Sequence, residues 1–197
     1  MKKKPWIVVL FALLVIAAVS FTLSSGSAKD AVPQTGNLIA NGDFSILEDG
    51  QTGMWVTSAG ASYLEAVTLA DGTTAALVEN AASNDARFEQ AVAVRENTTY
   101  KLTARVMAEG CGEGTKGANV SFSGIYGTSR DLHDTDGQWE TLTLYGRTGK
   151  GQKEVTVMVR LGGYGSENTG KAWFTDVRLE QVETVPVGET VLDLATP

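Results

Sequence analysis

Apolar and polar residues alternate with a period of two through much of the chain after residue 36. Between Tyr100 and Ala108 the even-numbered positions are apolar and the odd-numbered ones are mostly polar. Between Glu154 and Leu161 the odd-numbered positions are the apolar ones. Both patterns are typical of a β-strand that buries one face and exposes the other.

Shorter runs with the same period lie at Asn37–Ala40, Tyr63–Leu69, Ala75–Glu79, Ala86–Val94, Asn119–Phe122, Trp139–Tyr145 and Ala172–Val182. Turn dipeptides separate several of them, including Asp71-Gly72 and Asp136-Gly137. About nine short strands, with no amphipathic helix after residue 30, predict an all-β fold, an antiparallel β-sandwich of the jelly-roll type. Four phenylalanines are predicted to be large core residues: Phe44, Phe88, Phe122 and Phe174.

The N-terminus has a different pattern, which predicts a hydrophobic helix. Lys2, Lys3 and Lys4 precede the segment 6–23, in which 16 of 18 residues are apolar. A positive flank before an apolar segment directs export, so residues after about 28 are expected outside the cytoplasm. Cleavage after the small residues Gly26-Ser27-Ala28 would leave a secreted protein, whereas an uncleaved segment would anchor it to the membrane. Both alternatives stay open.

These patterns divide the chain into four parts. Residues 1–28 are a signal peptide or signal anchor, and residues 29–36 are a polar spacer. Residues 37–182 form the β-sandwich. After Val182 the alternation stops, so residues 183–197 are interpreted as a linker or tail, and the natural chain is expected to continue or to reach a partner.

Charge argues against nucleic acid as a partner. The 197 residues carry 16 basic and 23 acidic side chains, a net charge of −7. Residues 29–197 alone carry 13 basic and 23 acidic side chains, a net charge of −10. An acidic surface repels phosphate backbones, and no basic stripe compensates for it.

Most candidate catalytic motifs in the sequence lack a residue that their chemistry requires. The single Cys111 and the single His133 exclude a cysteine-rich zinc site and any site that needs two imidazoles. The segment 165–171 fits a phosphate-binding loop, but Ala172 stands where a metal-binding Ser or Thr is required. Acidic residues in apolar surroundings, which a glycoside hydrolase needs, are limited to Glu65 and Asp176. No catalytic residue is assigned, and the chain is not expected to be an enzyme.

Four segments together resemble the carbohydrate-binding modules of families four and nine, which are jelly rolls of the galactose-binding-like type. The segment Asn37-Leu38-Ile39-Ala40-Asn41-Gly42-Asp43-Phe44, followed by Gly53-Met54-Trp55, resembles their opening "NLI-NG-FE … GW". Three further segments agree in order and spacing: Phe88–Val92 with Asn97–Ala104, Asp136–Leu142, and the closing Lys171–Glu180. The resemblance covers residues 37–182.

The resemblance also implies a structural calcium ion that joins the first strand to the last. Carried over to this sequence, its ligands would be Asp43, the carbonyl of Gly72, and Thr175 or Asp176. Thr175 replaces the first Asp of the closing "D-D-V" motif, although hydroxyl and carbonyl oxygens can also bind calcium.

The family reads polysaccharides with aromatic rings on a concave sheet, because a pyranose packs its apolar face on an aromatic ring. The candidate ligand contacts in this sequence are Trp55, Tyr126, Tyr145, Tyr164 and Trp173. Tyr126 and Tyr164 lie among Gly and Ser and are expected to be the most exposed, whereas the family usually uses the tryptophan positions for its core. Hydrogen bonds to sugar hydroxyls are expected from Arg105, Arg130, Glu65 and Gln90.

The resemblance therefore implies a non-catalytic, extracytoplasmic module that binds a polysaccharide or cell-wall glycan, anchored or secreted through its N-terminal segment. Two alternatives remain. The sandwich could be a structural or protein-interaction domain of a larger envelope protein. It could also be the accessory domain of a glycoside hydrolase or glycosyltransferase whose catalytic part is absent from this chain.

Overall fold

A computed structural model describes residues 35–195, apart from residues 49, 50, 53, 59 and 61. Twelve strands make up this part of the chain. In order they are β1 (Leu47–Glu48), β2 (Gln51–Thr52), β3 (Val56–Ser58), β4 (Tyr63–Thr68), β5 (Thr74–Asn84), β6 (Ala86–Ala93), β7 (Thr99–Glu109), β8 (Ala118–Phe122), β9 (Glu140–Arg147), β10 (Glu154–Leu161), β11 (Asn168–Gln181) and β12 (Val191–Asp193).

The strands form a sandwich of two main sheets, which confirms the predicted all-β sandwich. The four-stranded sheet has the order β3-β6-β10-β8, and the six-stranded sheet has the order β12-β9-β7-β11-β5-β4. A small hairpin pairs β1 with β2. All neighbours are antiparallel except β12, which runs parallel to β9.

The core lies between the two sheets and is built by the alternation seen in the sequence. On β7 the even positions from Tyr100 to Ala108 are buried, and on β10 the odd positions from Val155 to Leu161 are buried. The four predicted phenylalanines all lie in this core. Full burial of one such side chain contributes about 1.5–3 kcal/mol to folding, so these faces fix which side of each strand points inward.

Tyr100 is the largest fully buried side chain of the core. Burial raises the pKa of its hydroxyl above the usual value, and the hydroxyl oxygen accepts a hydrogen bond from the Arg95 amide at 2.8 Å. The polar end of this core residue is therefore satisfied at the turn before β7.

Eight of the nine predicted strands match observed ones, while the ninth differs. Residues 37–40 form no regular strand, although they are bonded to β11. The Leu38 amide donates to the Leu179 carbonyl at 2.9 Å, and the Asn37 side chain donates to the Val177 carbonyl at 3.1 Å and accepts from the Leu179 amide at 3.0 Å. The predicted N-terminal helix lies outside the described residues. Among the residues that the structure describes, no helix has the length and hydrophobicity to cross a bilayer.

The interpretation of residues 183–197 as a linker is wrong for residues 191–194. β12 pairs with β9 through Val191–Tyr145, Leu192–Gly146 and Asp193–Arg147. Leu194 follows, is 2 % exposed, and donates its amide to the Arg147 carbonyl at 2.8 Å. The burial of Leu194 and the pairing of β12 with β9 hold this segment on the sandwich. A strand of three residues is too short to show a period of two in the sequence.

We expect Leu194→Ala to destabilise the domain by about 2–5 kcal/mol, because it removes a buried side chain and leaves a cavity. Val191→Ala is the matched control, since Val191 lies in the same strand and is 40 % exposed. Urea unfolding of both variants measures the difference. Equal stability of the two variants would show that the segment adds nothing to the core.

Candidate functional site

The outward face of the four-stranded sheet carries a cleft of about 640 Å³. Strand pairing sets Arg87 of β6 opposite Arg160 of β10. Met158 is two residues from Arg160 and therefore lies on the same face. The lining residues are Asp85, Arg87, Lys116, Ser123, Gly124, Ile125, Tyr126, Thr128, Met158, Arg160, Gly163, Tyr164 and Ser166.

Two tyrosines form the rim of this cleft. Tyr126 is 86 % exposed and Tyr164 is 83 % exposed. Their ring centroids are 6.2 Å apart and the rings are nearly perpendicular, at 86°. Such an edge-to-face pair holds two large apolar surfaces in solvent, where a ligand can reach them.

The floor of the cleft is a network of paired charges. Arg160, which is almost buried, donates from Nε to Asp85 Oδ1 at 3.0 Å and from Nη2 to Asp85 Oδ2. Arg87 donates from Nε to Glu89 Oε2 at 3.2 Å and lies 3.7 Å from Asp85 through Nη1. Because each cation has an acidic neighbour, the floor offers donors and acceptors together without a large net charge.

Lys116 extends this arrangement to the other wall of the cleft. Its ammonium donates to Thr128 Oγ1 at 2.9 Å and to Asp131 Oδ2 at 3.1 Å. With the apolar surfaces of Met158 and Ile125, the cleft combines apolar patches and hydrogen-bonding groups. This combination suits a ligand that has both hydroxyl groups and apolar faces.

The Tyr164 side of the cleft is held by the side chain of Asn168. Its Oδ1 accepts from the Gly112 amide at 2.7 Å, and its Nδ2 donates to the carbonyls of Gly112 and Lys116, each at 3.0 Å. The Ser166 hydroxyl in turn accepts from the Lys116 amide at 2.9 Å. These bonds fasten the turn that carries Tyr164 to the loop that carries Lys116.

Of the five aromatic candidates, only Tyr126 and Tyr164 meet at this cleft. Trp55 is 6 % exposed, packs on Phe44 with centroids 5.0 Å apart, and donates from Nε1 to the Asn41 carbonyl at 3.0 Å. Tyr145 is 5 % exposed on β9. Trp55 and Tyr145 are therefore both buried as placed, away from the Tyr126–Tyr164 pair.

Trp173 lies on the opposite side of the molecule. Its neighbours Ala172 and Phe174 point into the core, so Trp173 faces outward from the six-stranded sheet and is half-buried there. The structure does not bring it together with the Tyr126–Tyr164 pair.

The predicted hydrogen-bonding residues also lie away from the cleft. Gln90 is buried and exchanges two hydrogen bonds with the Ala40 backbone, both at 2.9 Å. Glu65 accepts from the Tyr63 hydroxyl, Arg105 pairs with Asp176, and Arg130 pairs with Glu140 at 2.6 Å.

Sequence reasoning missed the residues of the floor: Asp85, Arg87, Met158 and Arg160. Asp85 and Arg160 are 75 positions apart, and only the strand register brings them together. A weak signal existed, because Arg160 and Met158 fall on the solvent side of a strongly alternating strand.

The two carboxylates predicted to bind calcium have other partners as they are placed. Asp43 Oδ1 accepts from the Ser45 amide at 3.2 Å and from its hydroxyl at 2.9 Å, while Asp176 pairs with Arg105 at 3.1 Å. The Thr175 side chain is buried, and Gly72 closes a turn by donating its amide to the Leu69 carbonyl at 2.9 Å. No group of three or more His, Cys, Asp or Glu that could hold a metal occurs within the described ranges. Calcium normally takes six to eight oxygen ligands.

Cys111 and His133 lie outside the cleft. Cys111 is buried, and this burial raises the pKa of its thiol to about 11. His133 places Nε2 2.9 Å from the Thr115 carbonyl and Nδ1 3.7 Å from Glu113. Neither contacts the other residues of the candidate site.

Comparisons with known proteins agree on the fold. No family model matches the sequence, and no curated protein matches it. Among solved structures, a family 4 carbohydrate-binding module superposes with a TM-score of 0.52 at 16% identity, covering 73% of this chain and 99% of that one. A family 61 module solved with β-1,4-galactotriose gives 0.51 at 17% identity, covering 75% and 100%.

A third similar structure is the xylan-binding family 22 domain from Paenibacillus barcinonensis, with a TM-score of 0.52 at 12% identity, covering 79% of this chain and all of that one. At these identities the similarity establishes the fold. The predicted resemblance to carbohydrate-binding modules is confirmed at that level.

We expect Cys111 to react slowly with a thiol reagent at pH 8 in the folded protein. A thiol with a pKa of about 11 is only ~0.1% thiolate at that pH, and the thiolate is the reactive form. Urea should expose the thiol and accelerate the reaction strongly. Fast labelling of the native protein, followed by absorbance, would contradict the burial of this side chain.

Chelator is expected to leave the midpoint of thermal unfolding unchanged, because Asp43 and Asp176 are engaged by Ser45 and Arg105. Scanning calorimetry with calcium and with chelator measures this. A calcium-dependent rise in the midpoint that Asp43→Asn abolishes would instead restore the calcium site.

Proposed function

We propose that the protein is a non-catalytic glycan-binding module. In this proposal the Tyr126–Tyr164 pair packs against the apolar faces of sugar rings, and the floor of the cleft bonds their hydroxyl groups. The observation that carries the proposal is the exposed edge-to-face pair, at 6.2 Å, on the rim of a 640 Å³ cleft.

The chemistry of the cleft supports a sugar ligand. A pyranose presents C–H groups on its faces and hydroxyls around its edge, so it needs aromatic surface and paired donors and acceptors together. Asp85, Arg87 and Lys116 supply the polar part, and Tyr126, Tyr164 and Ile125 supply the apolar part. The volume falls within the range of about 300–1,000 Å³ that is usual for ligand pockets.

The compared structures support the same function. Two of them were solved or described with a glycan, β-1,4-galactotriose in one case and xylan in the other. A shared fold does not fix the ligand, because function depends on the site that a fold carries. The sugar bound by this protein is therefore left as a polysaccharide or cell-wall glycan.

The ion pairs of the cleft support a binding role rather than a catalytic one. Asp85 is held by Arg160, and Asp131 by Lys116. A general acid or base must be able to exchange a proton with the substrate, which a carboxylate paired with a cation does poorly.

Location and context form a second part of the proposal. The positive flank and apolar segment of residues 1–28 support export, with the module anchored to the membrane or secreted. A catalytic domain in the same parent protein, acting on glycosyl bonds, would be the natural partner of such a module.

A structural or protein-interaction role remains the second candidate, and one observation favours it. Four large apolar side chains are exposed near the β1–β2 hairpin and the edge strand β3: Ile46, Leu47, Met54 and Val56. Exposed apolar side chains grouped in this way are typical of protein contacts.

Tyr126→Ala and Tyr164→Ala are each expected to weaken glycan binding by about 3- to 10-fold, since one aromatic contact contributes about 0.5–1.5 kcal/mol. Tyr63→Ala is the matched control, because Tyr63 is also exposed but lies on β4 of the other sheet. Binding of the full chain to a glycan array and to insoluble polysaccharides measures the effect.

If Tyr126→Ala and Tyr164→Ala bind glycan as well as Tyr63→Ala does, the ligand binds elsewhere on the surface. A folded wild-type protein that binds no glycan, but captures a protein partner through the Ile46–Val56 surface, would favour the structural role.

A further inference from the structure

We infer that the C-terminal strand β12 positions Tyr126 for ligand binding, with Leu192 acting as a positioning residue through its contact with Gly127. This inference rests on the proposed function, because it concerns the same cleft. It assigns a role in binding to a segment that lies outside the lining of that cleft.

Leu192 packs closely against the residue that follows Tyr126. A Cβ atom placed on Gly127 would lie 2.5 Å from Leu192 Cδ2 and 2.7 Å from its Cδ1. The Leu192 side chain therefore fills the space that a side chain at residue 127 would need. Leu192 also packs against the hydrophobic core, so it links the core to the loop at residues 123–128.

Leu194, the residue after β12, lies near the same loop. It lines a second cavity, of about 270 Å³, together with Ser123, Gly124 and Ile125. A Cβ atom on Gly146 would come within 2.6 Å of Leu194 Cδ1, so this leucine too occupies the space left by a glycine. Leu194 therefore anchors the end of β12 on β9, whereas Leu192 makes the contact with the loop beside Tyr126.

The loop has few bonds of its own near Tyr126. Its ends are tied to the sheet, because the Ser123 amide donates to the Thr156 carbonyl at 2.9 Å and the Ser129 amide donates to the Val120 carbonyl at 3.0 Å. Within the loop, the Ile125 amide bonds back to the Phe122 carbonyl at 3.3 Å. Thr128 also forms a backbone bridge with Ser121, so the packing of Leu192 on Gly127 adds to these bonds in fixing the backbone beside Tyr126.

β12 is itself held firmly enough to serve as a support. It pairs with β9, Leu194 is buried, and the Ala195 amide donates to Asp193 Oδ1 at 2.9 Å. A ring that is already oriented loses less conformational freedom when a ligand binds, and this raises affinity without any new contact. Release of the strand should therefore weaken binding, although no residue of the cleft floor changes.

The test compares Leu192→Ala with Val191→Ala in the full chain. Val191 lies in the same strand but is exposed, so its truncation controls for loss of strand stability. Backbone amide exchange at residues 124–128, measured without ligand, should be at least 5-fold faster in Leu192→Ala than in Val191→Ala. Equal exchange in the two variants would overturn the inference.

Gly127→Ala tests the same contact from the other side, and remains informative if Leu192→Ala loses the strand entirely. The added methyl group must displace Leu192 or the loop. It is expected to speed exchange at residues 124–128 while β9 and β10 keep their protection. Unchanged loop exchange in this folded variant would also count against the inference.

Binding is then measured with β-1,4-galactotriose and with soluble xylan as probes. In the otherwise wild-type chain, Leu192→Ala should weaken the binding of either probe about 3- to 10-fold. In a chain that already carries Tyr126→Ala, it should weaken binding little further. A partial loss should remain in a Tyr164→Ala background, because Tyr164 is held by a different loop although its ring contacts that of Tyr126. Full additivity with Tyr126→Ala would contradict a positioning role.

The two proposals fail separately. If Tyr126→Ala weakens binding and Leu192→Ala does not, the binding site stands and the positioning role is wrong. If neither probe binds, the failure belongs to the proposed function, and the exchange experiment decides by itself whether Leu192 orders the loop.

Discussion

The candidate site depends on a buried amide network that ties the two sheets together at one end. Asn80 donates from Nδ2 to the carbonyls of Asn168 and Asn84, and it also reaches the Leu161 carbonyl at the end of β10. Asn168 continues the network to Gly112 and Lys116. Because buried polar groups are costly when unpaired, this arrangement has few alternatives, and the loops that carry Tyr164 and Lys116 are fixed as a consequence.

The other side of the cleft is fixed by apolar packing instead of hydrogen bonds. Leu192 and Leu194 fill spaces left by Gly127 and Gly146, close to the loop that carries Tyr126. The loop of Tyr164 is therefore held by a polar network, and the loop of Tyr126 is packed by Leu192 of the last strand. Between them the sheet supplies a flat floor, on which the Arg160–Asp85 pair is set by strand register. A rigid scaffold with two anchored rims fits the proposed binding role.

The fold was largely predictable from the sequence, because one buried face per strand leaves a period-two pattern that β7 and β10 show clearly. Tyr126 and Tyr164 were predictable as exposed residues from their Gly and Ser neighbours. The burial of Tyr145 could not be predicted in the same way. The alternation places its side chain on the outward face of β9, where only neighbouring residues bury it. The floor could not be predicted because Asp85 and Arg160 meet only through the pairing of β6 with β10. β12 was missed because three residues are too few to show a period.

The most direct test of the account is to map ligand-induced changes of backbone amide NMR signals in the ¹⁵N-labelled protein, titrated with the glycan that binds best. The account predicts that the largest shifts fall at Tyr126, Tyr164, Met158 and Arg160, with weaker ones at Leu192 and little change on the outward face of the six-stranded sheet. Largest shifts around Trp173 and its neighbours on β7 would contradict it, because they would place the binding face on the opposite side of the sandwich.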